Sequence, residues 1–257
     1  MLITEVFSTI QGEATFTGTP SLFIRTQGCD VGCTWCDTKF SWKFYQENQL
    51  PEKTPIYNPV KQKKLKQRKG CFLEENSEKE KHLFSIPVEY YDEFVQEIKS
   101  YSNNTQNKFN HIVLTGGEPL RQKELWRFYE SILQNSLYRL QIETSGTGEI
   151  EDLLIKTIKQ NQSRFFVTLS PKINMAGGLT VNQKIIQIVN EIKFPVGKQK
   201  DLEILQEFIE QYGIPRHIPI YLQPISQNEK ATELCVQACK QKGYRLSIQT
   251  HKYANIY

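Results

Sequence analysis

Apolar and polar positions along this 257-residue chain follow two periods that take turns. Residues 21–27, Ser-Leu-Phe-Ile-Arg-Thr-Gln, are apolar at the centre and bounded by Pro20 and Gly28, which predicts a buried strand. Ahead of it, 5–13 start with apolar–polar alternation and run into Gly12, which predicts a short strand and then a loop through Gly18 and Pro20. Helical spacing covers 88–101, where Tyr91, Phe94, Val95 and Ile98 share a face. A strand over 109–114 follows, then a helix marked by Leu125, Trp126, Phe128, Tyr129 and Leu133. The unit repeats: strand 138–143 and helix 151–160, strand 165–169 and helix 182–190, strand 191–196 and helix 201–212, strand 218–224 and helix 229–242, then a last strand near 245. Such alternation predicts a parallel sheet. About six units fit an α/β fold of the partial (β/α)6 barrel type better than a closed eight-fold one, in a single domain spanning 1–257.

One stretch breaks the rhythm. Residues 46–86 lack apolar periodicity and carry Lys61, Lys63, Lys64, Lys66, Arg68 and Lys69, followed by Glu74, Glu75, Glu78 and Glu80. The acids nearly cancel the bases, so a solvated, exposed insertion is expected here and not a nucleic-acid arm. The net charge of +4 is mild and much of it comes from this run, so no nucleic-acid partner is expected. No apolar run approaches membrane-spanning length, and the first residues show no basic segment followed by an apolar one, so neither a membrane span nor a signal peptide is expected. Hydrophobic residues make up 39%, enough for a sizeable core.

The six cysteines are clustered, not spread as a disulfide framework, which fits a reducing, cytoplasmic location. Cys29, Cys33 and Cys36 share the loop that directly follows strand 21–27, and in a barrel of parallel strands that is the catalytic face. Thiolates are soft ligands for iron–sulfur clusters, zinc and Cu(I). Three of them can hold three irons of a cubane and leave the fourth open to an exogenous ligand, whereas a cubane that only carries electrons has four Cys. Zinc wants four ligands, and no fourth Cys or His lies close in sequence. Cys71 reads as a bystander, and Cys235 and Cys239, four apart on a helix, as small buried hydrophobes. His82, His111 and His217 have no ligand-like spacing. After strand 109–114 come Thr115-Gly116-Gly117-Glu118-Pro119, where two glycines let a backbone edge come close to a ligand.

The cysteine spacing, with Trp35 just before the last Cys, resembles the signature of the radical S-adenosylmethionine (SAM) enzymes. The residues around it narrow this. Ser8-Thr9-Ile10-Gln11-Gly12-Glu13, Gly18-Thr19-Pro20-Ser21, Phe23-Ile24-Arg25 and Cys36-Asp37-Thr38 resemble the 7-carboxy-7-deazaguanine synthases of the queuosine pathway. Ala14 departs from a commonly glycine position of that family. The resemblance implies a TIM-like radical SAM barrel with an insertion after the cluster loop. It implies conversion of 6-carboxy-5,6,7,8-tetrahydropterin to 7-carboxy-7-deazaguanine with loss of ammonia, using a [4Fe-4S] cluster, SAM and Mg²⁺. It further implies an electron donor such as flavodoxin or ferredoxin, and a homodimer.

Site residues follow from the same resemblance. Cys29, Cys33 and Cys36 would hold the cluster and Thr38 the Mg²⁺, with Glu143 as a catalytic candidate. Trp35, Asp37, Gly116, Gly117, Glu118, Ser170, Pro171, Lys172, Gln223, Pro224, Ile225 and Ser226 would serve the cofactors. Ile10, Gln11, Gly12, Glu13, Arg25, Thr115, His251 and Tyr257 would meet the substrate. An ion pair at a strand end is the plain role open to Arg25, and helix capping the plain role open to Thr38. Two alternatives stay open at this point: another radical SAM enzyme such as a glycyl-radical activase, and a non-catalytic zinc module that binds RNA.

Overall fold

The computed structural model describes residues 1–45, 84–104, 106 and 108–256. Most of the expected insertion, with Cys71 and His82, and the C-terminal Tyr257 lie outside the described residues. Among the described residues, nine strands form one sheet: β1 (Leu2–Ile10), β2 (Pro20–Thr26), β3 (Phe84–Ser85), β4 (His111–Gly116), β5 (Arg139–Thr144), β6 (Phe165–Leu169), β7 (Glu191–Val196), β8 (Ile220–Pro224) and β9 (Arg245–Leu246). Their spatial order is β3-β1-β2-β4-β5-β6-β7-β8-β9. From β2 onward every neighbouring pair along that order is parallel, while β1 runs antiparallel to β2, and β3 antiparallel to β1. The sheet is open, with β3 and β9 at its two ends.

Helices fill the crossovers: α1 (Tyr91–Asn104), α2 (Leu125–Asn135), α3 (Asp152–Gln160), α4 (Gln199–Tyr212) and α5 (Glu229–Lys242), with a short α6 (Thr250–Tyr253) near the C-terminus. Their ends follow local chemistry. Asn228 caps α5 by accepting from the Ala231 N–H at 3.1 Å, and Gly213 and Gly243, both left-handed, end α4 and α5. Cys235, on the inner face of α5, is fully buried, as a small hydrophobe should be. Two expectations change. Residues 182–190 form only a 3-10 segment, Gln183–Gln187, because the Asn182 side chain holds the Lys184 N–H and the β-branched Ile185 and Ile186 favour helix weakly. Phe84–Ser85, assigned to the insertion by sequence, pair with β1, and Ile86 is buried beside them. A two-residue strand is too short to show a period.

The two faces of the sheet differ in kind. Leu22, Ile24, Ile112, Leu114, Leu140, Ile142, Val167, Leu169, Ile192, Phe194 and Leu222 belong to one continuous apolar core with the helices. Their strand neighbours Arg25, His111, Gln141, Glu143, Thr168, Glu191, Lys193, Tyr221 and Gln223 turn to the concave side. That inner face is polar, and many of its groups bond to one another, though the buried His111 Nδ1 and Gln223 Oε1 have no partner among the described residues. Gln141 accepts from Gln11 at 3.2 Å, meets His111 at 2.9 Å and donates to Thr168 at 2.8 Å, which in turn donates to Glu191 at 2.8 Å. Among the described residues, no helix is long and apolar enough to cross a membrane.

Candidate active site

A cavity of about 330 Å³ opens at the C-terminal ends of the parallel strands, where a barrel of this kind carries its chemistry. The cysteine loop forms one wall. It is held from behind by the backbone that follows it: the Gly28 N–H donates to the Ser41 carbonyl at 2.8 Å, and the Cys29 N–H to that of Trp42 at 3.0 Å. Arg121 braces it in front through an ion pair of 2.8 Å with Asp30. Cys29, Cys33 and Cys36 are all free thiols that line the cavity. Burial pushes the Cys29 thiol up to about 11, against the Val31 N–H, with the charges of Glu118, Cys33 and Cys36 adding to it. Burial raises Cys33 as well. Such thiols stay protonated at neutral pH until a metal displaces the protons. Cys36 accepts from the Trp42 indole N–H at 3.3 Å and the Thr38 N–H at 3.4 Å, so its sulfur already sits among donors suited to a thiolate.

The Gly-Gly-Glu loop lies against that wall. The Gly117 N–H donates to the Thr26 carbonyl at 2.9 Å, and the Glu118 N–H to that of Gly28 at 2.8 Å. A Cβ on Gly117 would stand 2.3 Å from the Gly28 oxygen, and one on Gly116, at φ +126°, would stand 2.3 Å from the Thr26 nitrogen. The glycines are therefore demanded by the approach of two backbones, one of which leads into the cysteine loop. The Glu118 side chain is anchored within the protein. Its buried carboxylate accepts from the Leu120 N–H at 3.1 Å, the Thr144 hydroxyl at 2.5 Å, the Ser145 N–H at 2.8 Å and the Ser145 hydroxyl. It ties the ends of β4 and β5 together.

The opposite wall comes from the loop after β1 and from the C-terminal segment. The Gly12 carbonyl accepts from both the N–H and the hydroxyl of Thr250, at 3.0 and 3.1 Å. A Cβ on Gly12 would stand 2.2 Å from His251 Nδ1. Glu13 is buried and ion-paired with Lys193, and its other oxygen accepts from Gln249 at 2.8 Å and Gln223 at 3.2 Å. Burial works against the Glu13 charge, but the charge and hydrogen bond of Lys193 outweigh it and hold the carboxyl well below the usual range. Glu143 accepts from Gln11 and Thr115, each at 3.1 Å. Ala14 has φ +54° and is buried, which explains why a glycine would suit that position. The Arg25 Nε donates to Glu5 at 2.5 Å, so its ion pair exists, and the residue still lines the cavity.

Of the residues marked from sequence, Ile10, Gln11, Gly12, Glu13, Arg25, Trp35, Asp37, Thr38, Thr115, Gly116, Gly117, Glu118, Glu143, Ser170, Lys172, Gln223, Pro224, Ile225, Ser226 and His251 line this one cavity with the three cysteines. Pro171 does not: it is buried behind the lining. Thr38 precedes a 3-10 turn, Lys39–Ser41, without a side-chain capping bond, and its hydroxyl lies 3.5 Å from Cys36 Sγ. Sequence reasoning missed Lys193, Gln249, Trp42 and Ser145, which also line the cavity.

The donor set fits a cluster with an open iron. Sulfurs on a single tetrahedral zinc lie about 3.8 Å apart. Among the described residues, no group of three or more His, Cys, Asp or Glu is drawn together closely enough to hold one ion. Three thiols on one cavity can hold three irons of a cubane and leave the fourth open. An organic cofactor also has an open partner: Gln223 turns its amide nitrogen to Glu13, and its buried Oε1 has no hydrogen-bond partner among the described residues.

Over 254 residues, 99% of this chain and 98% of the other, the sequence is 40% identical to a 7-carboxy-7-deazaguanine synthase of Buchnera aphidicola subsp. Schizaphis graminum. The chain belongs to the 7-carboxy-7-deazaguanine synthase family. The 7-carboxy-7-deazaguanine synthase of Escherichia coli (strain K12) is 36% identical over 254 residues, again 99% of this chain and 98% of that protein. The crystal structure of QueE from Escherichia coli aligns with a TM-score of 0.71 at 34% identity, covering 96% of this chain and 93% of that one. No family model matches the chain. Membership of the 7-carboxy-7-deazaguanine synthase family makes the protein a radical SAM lyase of queuosine biosynthesis with a TIM-like fold, and the family's [4Fe-4S] cluster and SAM come with it. The zinc-module and activase readings fall away.

Proposed function

We propose that this protein converts 6-carboxy-5,6,7,8-tetrahydropterin to 7-carboxy-7-deazaguanine and ammonia. The observation that carries the reading is that the three cysteines, the Gly-Gly-Glu loop and the Gln-Gly-Glu loop all line one cavity. When bound, the cluster and SAM supply one electron and a carbon radical able to take a hydrogen atom from the substrate. The chain's own part is to bind, orient and shield. Cys29, Cys33 and Cys36 hold the cluster, and the Trp42 and Thr38 N–H groups on Cys36 tune it. Gly116 and Gly117 present backbone to the cofactor, and Ser170, Lys172 and residues 223–226 line the same cavity. Arg25 offers a cation to the substrate carboxylate. Gln11, Glu13, Glu143, Thr115 and His251 supply donors and acceptors for the ring.

Mg²⁺ belongs to the proposal. Thr38 carries a hydroxyl that makes no capping bond, in a cavity that also holds Asp37. Oxygen is the ligand Mg²⁺ prefers, and it keeps several waters. An electron donor such as flavodoxin or ferredoxin, a homodimer, a cytoplasmic location and a single domain with an insertion near 46–83 complete it. The test is anaerobic reconstitution followed by iron, sulfide and zinc analysis, then incubation with SAM, a reductant and carboxytetrahydropterin. Four irons with sulfide, and formation of carboxydeazaguanine, are expected. One zinc without sulfide, or SAM cleavage with no carboxydeazaguanine, overturns the proposal.

A further inference from the structure

Lys193 lies on the concave face of β7, across from Tyr221 on β8, with its side chain 10% exposed. Its ammonium pairs with Glu13 Oε2 and stands 3.7 Å from Glu143 Oε1. The other oxygen of Glu13 accepts from Gln249. Gln249 immediately precedes Thr250, which grips the Gly12 carbonyl twice, and His251, which packs over Gly12. One carboxylate thus carries Lys193 on one oxygen and, on the other, Gln249 of the C-terminal segment beside the more distant amide of Gln223 on β8. A hydrogen bond to an ionised acceptor is roughly twice as strong as one to a neutral acceptor. A buried carboxylate stripped of its cation protonates, so the Gln249 bond would weaken at a distance.

We propose that Lys193 is a positioning residue: through Glu13 it fixes Gln249, and so sets the C-terminal turn that bears His251 over the cavity. Only the kinetic arm of the test rests on the proposed function. The first arm needs the isolated chain alone. Amide hydrogen exchange is compared among wild type, Lys193→Met, Lys193→Arg and Gln249→Met. Exchange across 250–254 should rise about tenfold or more in Lys193→Met and Gln249→Met, with β5 amides unmoved. The combined Lys193→Met/Gln249→Met variant should add nothing further, because both act through one link. Lys193→Arg should keep most of the protection.

If Lys193→Met does not fold, Lys193→Met/Glu13→Gln, which removes both charges at once, carries the same test. Its exchange at 250–254 should fall between wild type and Gln249→Met. Wild-type protection at 250–254 in the variants lacking the Lys193 charge, or effects of Lys193→Met and Gln249→Met that multiply, overturns the inference. In the kinetic arm, substrate KM should rise about tenfold in Gln249→Met and Lys193→Met, more than kcat falls. Altered exchange together with a wild type that makes no carboxydeazaguanine would retain the latch and remove the proposed substrate instead.

Discussion

A single methyl group tests the wall opposite the cysteines. Gly12→Ala places a carbon where His251 Nδ1 now sits 2.2 Å away, and the ring must leave. We expect substrate KM to rise about tenfold while iron content stays at the wild-type value, read by steady-state kinetics and iron analysis. Ala14 makes a quieter test. Its φ of +54° costs an L-residue about 1 kcal/mol, and glycine forfeits a similar amount in unfolded-chain entropy. Ala14→Gly should therefore leave the unfolding midpoint nearly unchanged, whereas the β-branched Ala14→Val should lower stability by about 2 kcal/mol in urea titrations. Trp42→Phe removes the indole N–H from Cys36. The reduced cluster loses a donor that favours its extra negative charge, so its midpoint potential should fall by on the order of tens of millivolts in redox titration. The cysteines and glycines were legible because motif and chemistry coincide in them. Trp42 and Gln249 were not: no motif marks an indole beyond Cys36, and Gln249 meets Glu13 from the other end of the sequence.

Elements carry the second scale. The strands were legible because their outward residues form an apolar row, and most helices because that row needs a cover. The inward row carried no such signal. A strand buried on both faces is expected to be almost continuously apolar, so Glu191 and Lys193 within Glu191–Val196 do not mark themselves as interior. Only the register that puts Lys193 across from Tyr221 reveals it as interior. Its pairing with Glu13 makes a prediction about acid. The Glu13 carboxyl is depressed when folded, so the pair's contribution is fully present above the ordinary glutamate value of 4.5 and is lost as pH falls through the lower folded value. Urea midpoints measured from pH 7 down to pH about 3 should show this loss in wild type. In Lys193→Met/Glu13→Gln the slope should be shallower, since the shifted carboxyl is gone. An equal slope in both would place the acid sensitivity elsewhere.

At the scale of the molecule, the cavity gathers residues from the loop after β1, the cysteine loop and the ends of β4, β5, β6 and β8. A ligand bound there contacts most of the sheet and binds the unfolded chain poorly. At about 100 Kd of SAM, the reconstituted protein should gain roughly 2.7 kcal/mol, or about 5–10 °C in thermal midpoint for a chain of this size. Anaerobic differential scanning fluorimetry reads this, and a midpoint that ignores SAM would detach the cofactor from the cavity. The architecture was legible as an open set of strand–helix units with a last strand near 245, which β9 matches, while the two-residue β3 at the other end was not, being shorter than any period. The sheet keeps its apolar side outward under the helices and its polar side inward. Tolerance to mutation should therefore change with every step along a strand. On β5, substitutions at Leu140 and Ile142 would be read as lost expression, and those at Gln141 and Glu143 as lost turnover in a protein still present in the cell. A lineage drifting under that rule can revise its chemistry at one parity of residue number and its heat tolerance at the other, with little traffic between the two.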